Sequence, residues 1–280
     1  MSNEIIKGVL YVVATPIGNL SDLSDRAKKV LSEVDFIAAE DTRVTGKLLM
    51  CIGTKKPLIS YHEHNTREKG EEIIARIKNG ESCAIVSDAG TPAISDPGED
   101  LVRLCAEADV PVYAVPGCCA AVSALSISGL PTGRFSFEGF LSTNKGERRR
   151  HLDEVKQSPY TLIFYEAPHK LRDTLAAMLE ALGDRRISLV RELTKINEEV
   201  IRTTLSGAVA YYAENNPKGE FVLIVEGAKK EDEAPFWQDM SEEEHVNHYI
   251  SQGMEKMDAI KATAKDRGVA KNVIYKIVNN

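Results

Sequence analysis

Twelve consecutive residues, Ser87-Asp88-Ala89-Gly90-Thr91-Pro92-Ala93-Ile94-Ser95-Asp96-Pro97-Gly98, concentrate two carboxylates, two glycines and two prolines between an apolar run and an amphipathic one. Asp96, Pro97 and Glu99 suit the N-cap, N1 and N3 positions of the helix that follows. That capping role accounts for Asp96 and Pro97, and leaves Asp88, Gly90 and Pro92 unexplained. Glycines let backbone N–H and C=O groups approach a ligand closely, and loops at the carboxyl ends of parallel strands line the ligand crevice. The stretch is therefore read as a ligand-binding loop. A different chemistry is suggested by Lys145-Gly146-Glu147-Arg148-Arg149-Arg150-His151, which sets three arginines and a lysine at the beginning of a predicted helix. Guanidinium groups and N-terminal helical N–H groups both suit phosphate.

The apolar spacing supplies the elements that must hold these residues. Gly8 to Ala14 reads as a buried strand closed by Thr15-Pro16-Ile17-Gly18-Asn19, and Leu23, Ala27, Val30, Leu31 and Val34 mark a helix face. Phe36 to Ala39 is a second strand, ending in Glu40-Asp41-Thr42-Arg43; Leu58 to Ser60 is a third, running into His62 and His64. Cys83 to Val86 precedes the ligand-binding loop, and Val112 to Val115 is a fifth strand. Five strands alternating with helices predict a mostly parallel, doubly wound α/β sheet. A helix of small residues follows, Cys118 to Leu130. Beyond it strands are expected at 135–140, 161–165, 187–190, 200–203 and 221–225, with helices near 147–157, 169–182 and 206–214. The expected division is an N-terminal α/β domain over 1–117, a second α/β domain over 118–230 and a helical appendage over 235–280, reached by the charged linker Lys229 to Pro235. Ser241 and Glu244 predict a capping box, and 257–267 with 270–278 predict two short helices joined at Gly268, the outline of a helix-turn-helix.

Composition narrows the function classes. With 280 residues and 43% apolar side chains, the chain can give two domains a core each. No apolar stretch approaches a membrane span, and Met1-Ser2-Asn3-Glu4 lacks the start of a signal peptide, so the cytoplasm and no membrane partner are expected. The five cysteines include no C-x-x-C and read as reduced thiols on apolar faces. No metal site is predicted; His245 and His248 read as a solvated helix face. The net charge of -7 confines any nucleic-acid contact to local basic patches. Neither G-x-G-x-x-G nor G-x-x-x-x-G-K-[ST] occurs, which argues against a Rossmann dehydrogenase, the usual Rossmann-type methyltransferase and a P-loop nucleotide triphosphatase.

The ordered motifs V-A-T-P-I-G-N, A-E-D-T-R, S-D-A-G-T-P-A-I-S-D-P-G, V-P-G, F-Y-E-A-P-H-K, R-E-L-T-K and G-E-F-V-L-I-V-E-G resemble one family. It is the bacterial ribosomal RNA small subunit methyltransferase I family, within the tetrapyrrole-methylase-like superfamily. The likeness runs from Gly8 to about Gly227; the first loop, less glycine-rich than is usual in the superfamily, points to the ribosomal branch. The resemblance implies two α/β domains with S-adenosylmethionine in the cleft between them, usually in a homodimer. It also implies 2'-O-methylation of a decoding-region cytidine in 16S ribosomal RNA, on the RNA or the small ribosomal subunit. A methylase of tetrapyrrole intermediates and a noncatalytic RNA-binding or ribosome-assembly protein are the competing readings.

S-adenosylmethionine needs N–H donors, C=O acceptors, a carboxylate for its cationic part and an apolar slot. On the resemblance, Pro16, Asp88, Ala89, Gly90, Thr91 and Ile94 would meet the methionine end, bordered by Pro116, Gly117 and Ala120. Phe164, Tyr165, Glu220, Phe221 and Val222 would hold adenine. A ribose hydroxyl is too weak an acid to ionise unaided, so a base or a cation should assist the transfer. The candidates are Glu40, Arg43, Glu192 and Lys195, with Asp41, His62 and His64 as further groups. Lys145, Arg148, Arg149 and Arg150 would meet RNA phosphates.

Overall fold

Leu10–Val13 (β1), Phe36–Ala39 (β2), Leu58–Ser60 (β3), Cys83–Val86 (β4) and Val112–Val115 (β5) form a wholly parallel sheet in the order β3-β2-β4-β1-β5. The structure, a computed structural model, describes residues 4–229, 236–237 and 240–279. A parallel strand covered on both faces is apolar at successive positions, and β2 and β4 are buried at every residue. The helices Asp25–Glu33 (α1) and Thr42–Cys51 (α2) cover one face, where Leu31 and Leu49 pack with Val13, Ile37 and Val86. Thr66–Lys78 (α3) and Gly98–Glu107 (α4) cover the other, where Ile73, Leu101 and Cys105 pack with Leu10, Phe36 and Ile85. The doubly wound arrangement read from the alternation is the one observed.

The start of α4 lies one residue later than the sequence predicts. Pro97, with helical backbone, is the flanking residue, and Asp96 stands outside it, accepting from Gly98 N at 2.7 Å and Ala93 N at 2.9 Å. Asp96 still satisfies a helix N–H, while also folding the loop back on itself.

Phe135–Phe140 (β6), Thr161–Glu166 (β7), Arg186–Arg191 (β8), Glu199–Thr204 (β9) and Phe221–Val225 (β10) make a second sheet, ordered β6-β7-β10-β8-β9. Only β6 and β7 pair in parallel; β7, β10, β8 and β9 pair antiparallel. Ala120–Ser128 (α5) covers one face through Ala121, Ala124 and Leu125, and is ended by Gly129 at φ 78°. Lys145–Val155 (α6), Leu171–Leu182 (α7) and Leu205–Glu214 (α8) cover the opposite face.

Residues 1–228, carrying both sheets, and residues 229–280 are two compact units. Positions 230–235 of the expected linker lie outside the described residues. The second unit holds Glu242–Ser251 (α9), Lys256–Asp266 (α10) and Lys271–Asn279 (α11) around Val246, Ala259, Ile260, Ala264 and Ile274. The Ser241–Glu244 capping box is present. His245 is not on a solvated face: it is fully buried, stacked on Trp237 at 5.4 Å and bonded through Nδ1 to Arg267. Burial and the Arg267 charge hold its imidazole below the ordinary value. The cysteines also divide, Cys83 and Cys105 being buried but Cys51 exposed. Among the described residues no helix is long and apolar enough to cross a membrane.

Candidate active site

The loops after β1 and β4 are joined by a two-residue bridge, in which Thr15 N donates to Gly90 O at 2.8 Å and Gly90 N to Thr15 O at 3.1 Å. Thr91 Oγ1 donates to Cys118 O at 2.8 Å, tying in the loop after β5. Gly117 is there for close approach, since a Cβ on it would stand 2.9 Å from that of Ala14. These contacts hold one wall of a cleft of about 480 Å³.

Asp88, Ala89, Gly90, Thr91 and Ile94 line that wall together with Glu40 from the end of β2. The opposing wall is Tyr165, Glu220, Phe221 and Val222 from the second sheet, with Ala120 at the start of α5 between them. The size suits a small-molecule site, and the lining combines backbone polar groups, carboxylates and an apolar slot. Strain also gathers here. Among the described residues, four of the five non-glycine positions with left-handed φ are Ala93, Ser95, Glu192 and Thr194, in the two loops that flank the cleft. Each costs about 1–3 kcal/mol and persists because its surroundings dictate it, which is typical of ligand-holding loops.

Asp88 N donates to Glu40 Oε2 at 3.3 Å, and Asp88 Oδ1 accepts from Asp41 N at 3.1 Å. Burial pushes the Glu40 carboxyl above its ordinary value; the Asp88 N–H opposes this, and the charges of Asp88, Asp96 and Asp41 reinforce it. A carboxyl raised above its ordinary value at a cleft wall is a stronger base than a solvated one and is suited to taking a proton from a bound group.

Glu192 and Lys195 do not line the cleft but contact the opposing wall through Glu220. Lys195 Nζ lies 2.9 Å from both Glu192 Oε1 and Glu220 Oε2, and Glu192 Oε1 also accepts from Glu220 N at 2.9 Å. The Lys195 ammonium and the Glu220 N–H hold the Glu192 carboxyl below its ordinary value. Burial works against the Lys195 charge, but the two carboxylates outweigh it and raise its pKa. The stem of Lys195 packs on Gly18, where a Cβ would come within 2.5 Å of Lys195 Cγ. The cluster therefore braces the first loop against the second sheet.

Several predicted residues fall elsewhere. Phe164 does not line the cleft; it is fully buried with Leu152, Leu175 and Leu223, because successive β7 residues face opposite sides and Tyr165 takes the cleft side. Pro16, Pro116 and Gly117 do not line the cleft, Pro116 and Gly117 being exposed, whereas Ile17 does line it. Arg43 is exposed, paired with Asp41 at 2.6 Å, and His62 and His64 sit in the loop after β3, outside the cleft. Lys145, Arg149 and Arg150 are exposed on α6 and Arg148 is half-buried. Asn144 caps that helix through Gly146 N and Glu147 N, Arg149 is engaged by Asp153 and Glu180, and no ion pair holds Arg148 or Arg150 among the described residues.

The sequence reading misses Asp96, Ser95, Phe140, Glu166 and Leu193 on the cleft wall. Glu166 is within reach of it, as the residue after Tyr165 in F-Y-E-A-P-H-K; it is buried and accepts from Thr174 Oγ1 at 2.5 Å and from Ala167 N at 2.8 Å. Phe140 carries no such signal.

The model of the tetrapyrrole (corrin/porphyrin) methylases matches residues 9–209. The chain belongs to that family. Among full-length relatives, this methylase is 52% identical over 273 residues to "Ribosomal RNA small subunit methyltransferase I" of Halalkalibacterium halodurans, covering 97% of this chain and 94% of that one. It is 47% identical to the Bacillus subtilis protein of the same name, over 96% and 93% of the two chains. In fold it is similar to uroporphyrin-III C-methyltransferase from Thermus thermophilus, with TM-score 0.56 and 20% identity over 78% of this chain and 94% of that one. It is likewise similar to cobalt precorrin-4 methyltransferase, with TM-score 0.57 and 16% identity over 78% and 95%. The two α/β sheets of this methylase are thus those of the family, and the helical unit follows them.

Proposed function

We propose that this chain transfers a methyl group from S-adenosylmethionine to the 2'-hydroxyl of a decoding-region cytidine in 16S ribosomal RNA, in the cytoplasm and as a homodimer. The observation that carries the reading is the near full-length match, at 52% and 47% identity, to two proteins named as small-subunit ribosomal RNA methyltransferases. The homodimer rests on the family resemblance.

The cleft fits the donor. Its carboxylates, Glu40, Asp88, Asp96, Glu166 and Glu220, suit a cationic ligand with ribose hydroxyls, and Ala120, Val190, Leu193, Phe221 and Val222 offer an apolar slot. S-adenosylmethionine, when bound, supplies an electrophilic methyl group. Asp88, Ala89, Gly90 and Thr91 would hold its methionine end, and Tyr165, Phe221 and Val222 would enclose its adenosine. Holding acceptor and donor collinear at short range is the main contribution to such a displacement. Glu40, the one predicted catalytic side chain on the cleft wall, takes the proton from the acceptor hydroxyl. Glu192 and Lys195 act through position, fixing Glu220 and the first loop.

Phosphate contacts come from Lys145, Arg148 and Arg150, and from the second unit, whose Lys265, Lys271 and Lys276 form none of the salt bridges present among the described residues. Calorimetry with S-adenosylmethionine and transfer of labelled methyl to small ribosomal subunits from cells lacking the gene test the reading. Donor binding with transfer to 16S RNA is the expected result. Donor binding with transfer only to a tetrapyrrole acceptor would overturn the substrate, and no donor binding would overturn the enzyme.

A further inference from the structure

Phe140, the last residue of β6, lines the cleft yet is 54% exposed. A regular strand would turn Phe137 and Phe140 to opposite faces. The β6–β7 register instead shifts between Phe137 and Gly139, so that Phe137 pairs with Ile163 and Phe140 with Tyr165. Ile163 and Tyr165 share one face of β7, the face toward α5 and the cleft. A bulge with one extra residue is what re-aims the ring into the cleft. Gly139 makes the bulge with φ +65°, and a Cβ there would stand 3.2 Å from Ser95 Oγ, against the strained loop of the opposite wall.

The ring is held but not covered. Phe140 meets Tyr165 at 5.5 Å and 62°, an edge-to-face contact, and Tyr165 is anchored by its hydroxyl accepting from Ala121 N at 3.1 Å. Among the described residues no second ring stacks on Phe140, and Ile94, 46% exposed, lines the same cleft from the loop after β4. From Phe140 the chain passes through Ser142 and Asn144 directly into α6, whose first turns carry Lys145, Arg148 and Arg150. An open aromatic face at the cleft, followed closely in the chain by cations that no ion pair holds among the described residues, matches a nucleotide: a planar base beside its phosphates.

Resting on the rRNA methyltransferase reading, we propose that Phe140 is the stacking platform for the nucleobase of the nucleotide being methylated, with Ile94 closing over its other side. Single-stranded RNA is recognised by splaying its bases out of the stack onto aromatic side chains, and a nucleotide drawn into a cleft in this way has its lost stacking replaced by the aromatic ring.

The test compares Phe140→Ala, Phe140→Leu and Phe140→Trp in the full chain, measuring donor affinity by calorimetry and methyl transfer to unmodified small ribosomal subunits. The alanine and leucine variants should lose about tenfold or more in kcat/KM for the RNA, with donor affinity unchanged, and tryptophan should restore transfer. Full activity in the leucine variant would overturn the proposal, because an apolar wall would then suffice. A parallel loss of donor affinity in the alanine variant would overturn it too, making Phe140 the partner of the donor's adenine. An active parent with indifferent variants sinks this proposal alone; a parent inert on RNA sinks the underlying reading and this proposal with it.

Discussion

The backbone N–H of Asp88 donates to the carboxylate of Glu40 at 3.3 Å, joining the carboxyl ends of two neighbouring strands, β4 and β2, at the cleft wall. The same bond that orients Glu40 also opposes its protonation, but burial and the surrounding aspartates prevail and leave its pKa raised. Glu40→Gln keeps an acceptor for Asp88 N–H and removes the proposed base. Donor binding should persist while methyl transfer falls by about 10²–10⁴. In the parent, activity should rise with pH through the raised Glu40 pKa, and the variant should lose that limb. The stability sign is opposite: a raised carboxyl contributes stability below its unfolded value that is lost as pH rises through the folded one. The variant should therefore melt no lower than the parent at neutral pH.

At the proposed donor end, Asp88→Ala removes the carboxylate and the tie to Asp41 N, and should weaken S-adenosylmethionine about tenfold with the fold intact. Gly90 has φ +87°, and an added Cβ would stand 3.3 Å from Ile17 Cγ2. Gly90→Ala should therefore lower stability by about 1–2 kcal/mol as well as donor affinity, read by thermal melts and calorimetry on one preparation. Unchanged donor affinity in both variants would place the donor outside this cleft.

The strand ends and their loops are legible in the sequence because apolar runs, glycines and prolines signal them locally. β2 and β4 are each a short run of buried residues bounded by polar ones, Asp35 and Glu40 for the first, Ser82 and Ser87 for the second. Side-chain direction is less legible. Tyr165 and Phe164 are adjacent aromatics, and only pairing with β6 and β10 decides which one meets the cleft. Phe140 is hidden by a bulge that no local spacing announces. His245 reads as solvated from its own helix because its cover comes from Trp237 and Arg267, outside that helix.

Lys195→Met keeps the stem on Gly18 and removes the ammonium between Glu192 and Glu220. The cost should be about 1–3 kcal/mol of stability, since Glu192 is left largely buried without its partner. Glu192 has a depressed pKa, so the parent's gain from this pair is present above the ordinary carboxyl range and is lost as pH falls through the depressed value. Parent and variant melting curves should converge in that acid range. A loss of transfer far exceeding the loss of stability would instead assign Lys195 a direct part in the chemistry.

On α6, Arg149 is occupied by Asp153 and Glu180, whereas among the described residues no ion pair engages Arg148 or Arg150, which leaves these two to meet phosphate. The double change Arg148→Ala with Arg150→Ala should weaken RNA binding and reduce the slope of log K against log salt by about 1.5–2. Arg149→Ala should change that slope less. Filter binding over a salt series measures both.

Whether this cleft methylates a cytidine ribose of small-subunit RNA is tested most directly by mass spectrometry of 16S RNA from cells lacking the gene. Loss of one 2'-O-methylcytidine is expected, restored by the parent chain and not by Glu40→Gln. Full 2'-O-methylation of that RNA in the deletion strain would contradict the proposed reaction.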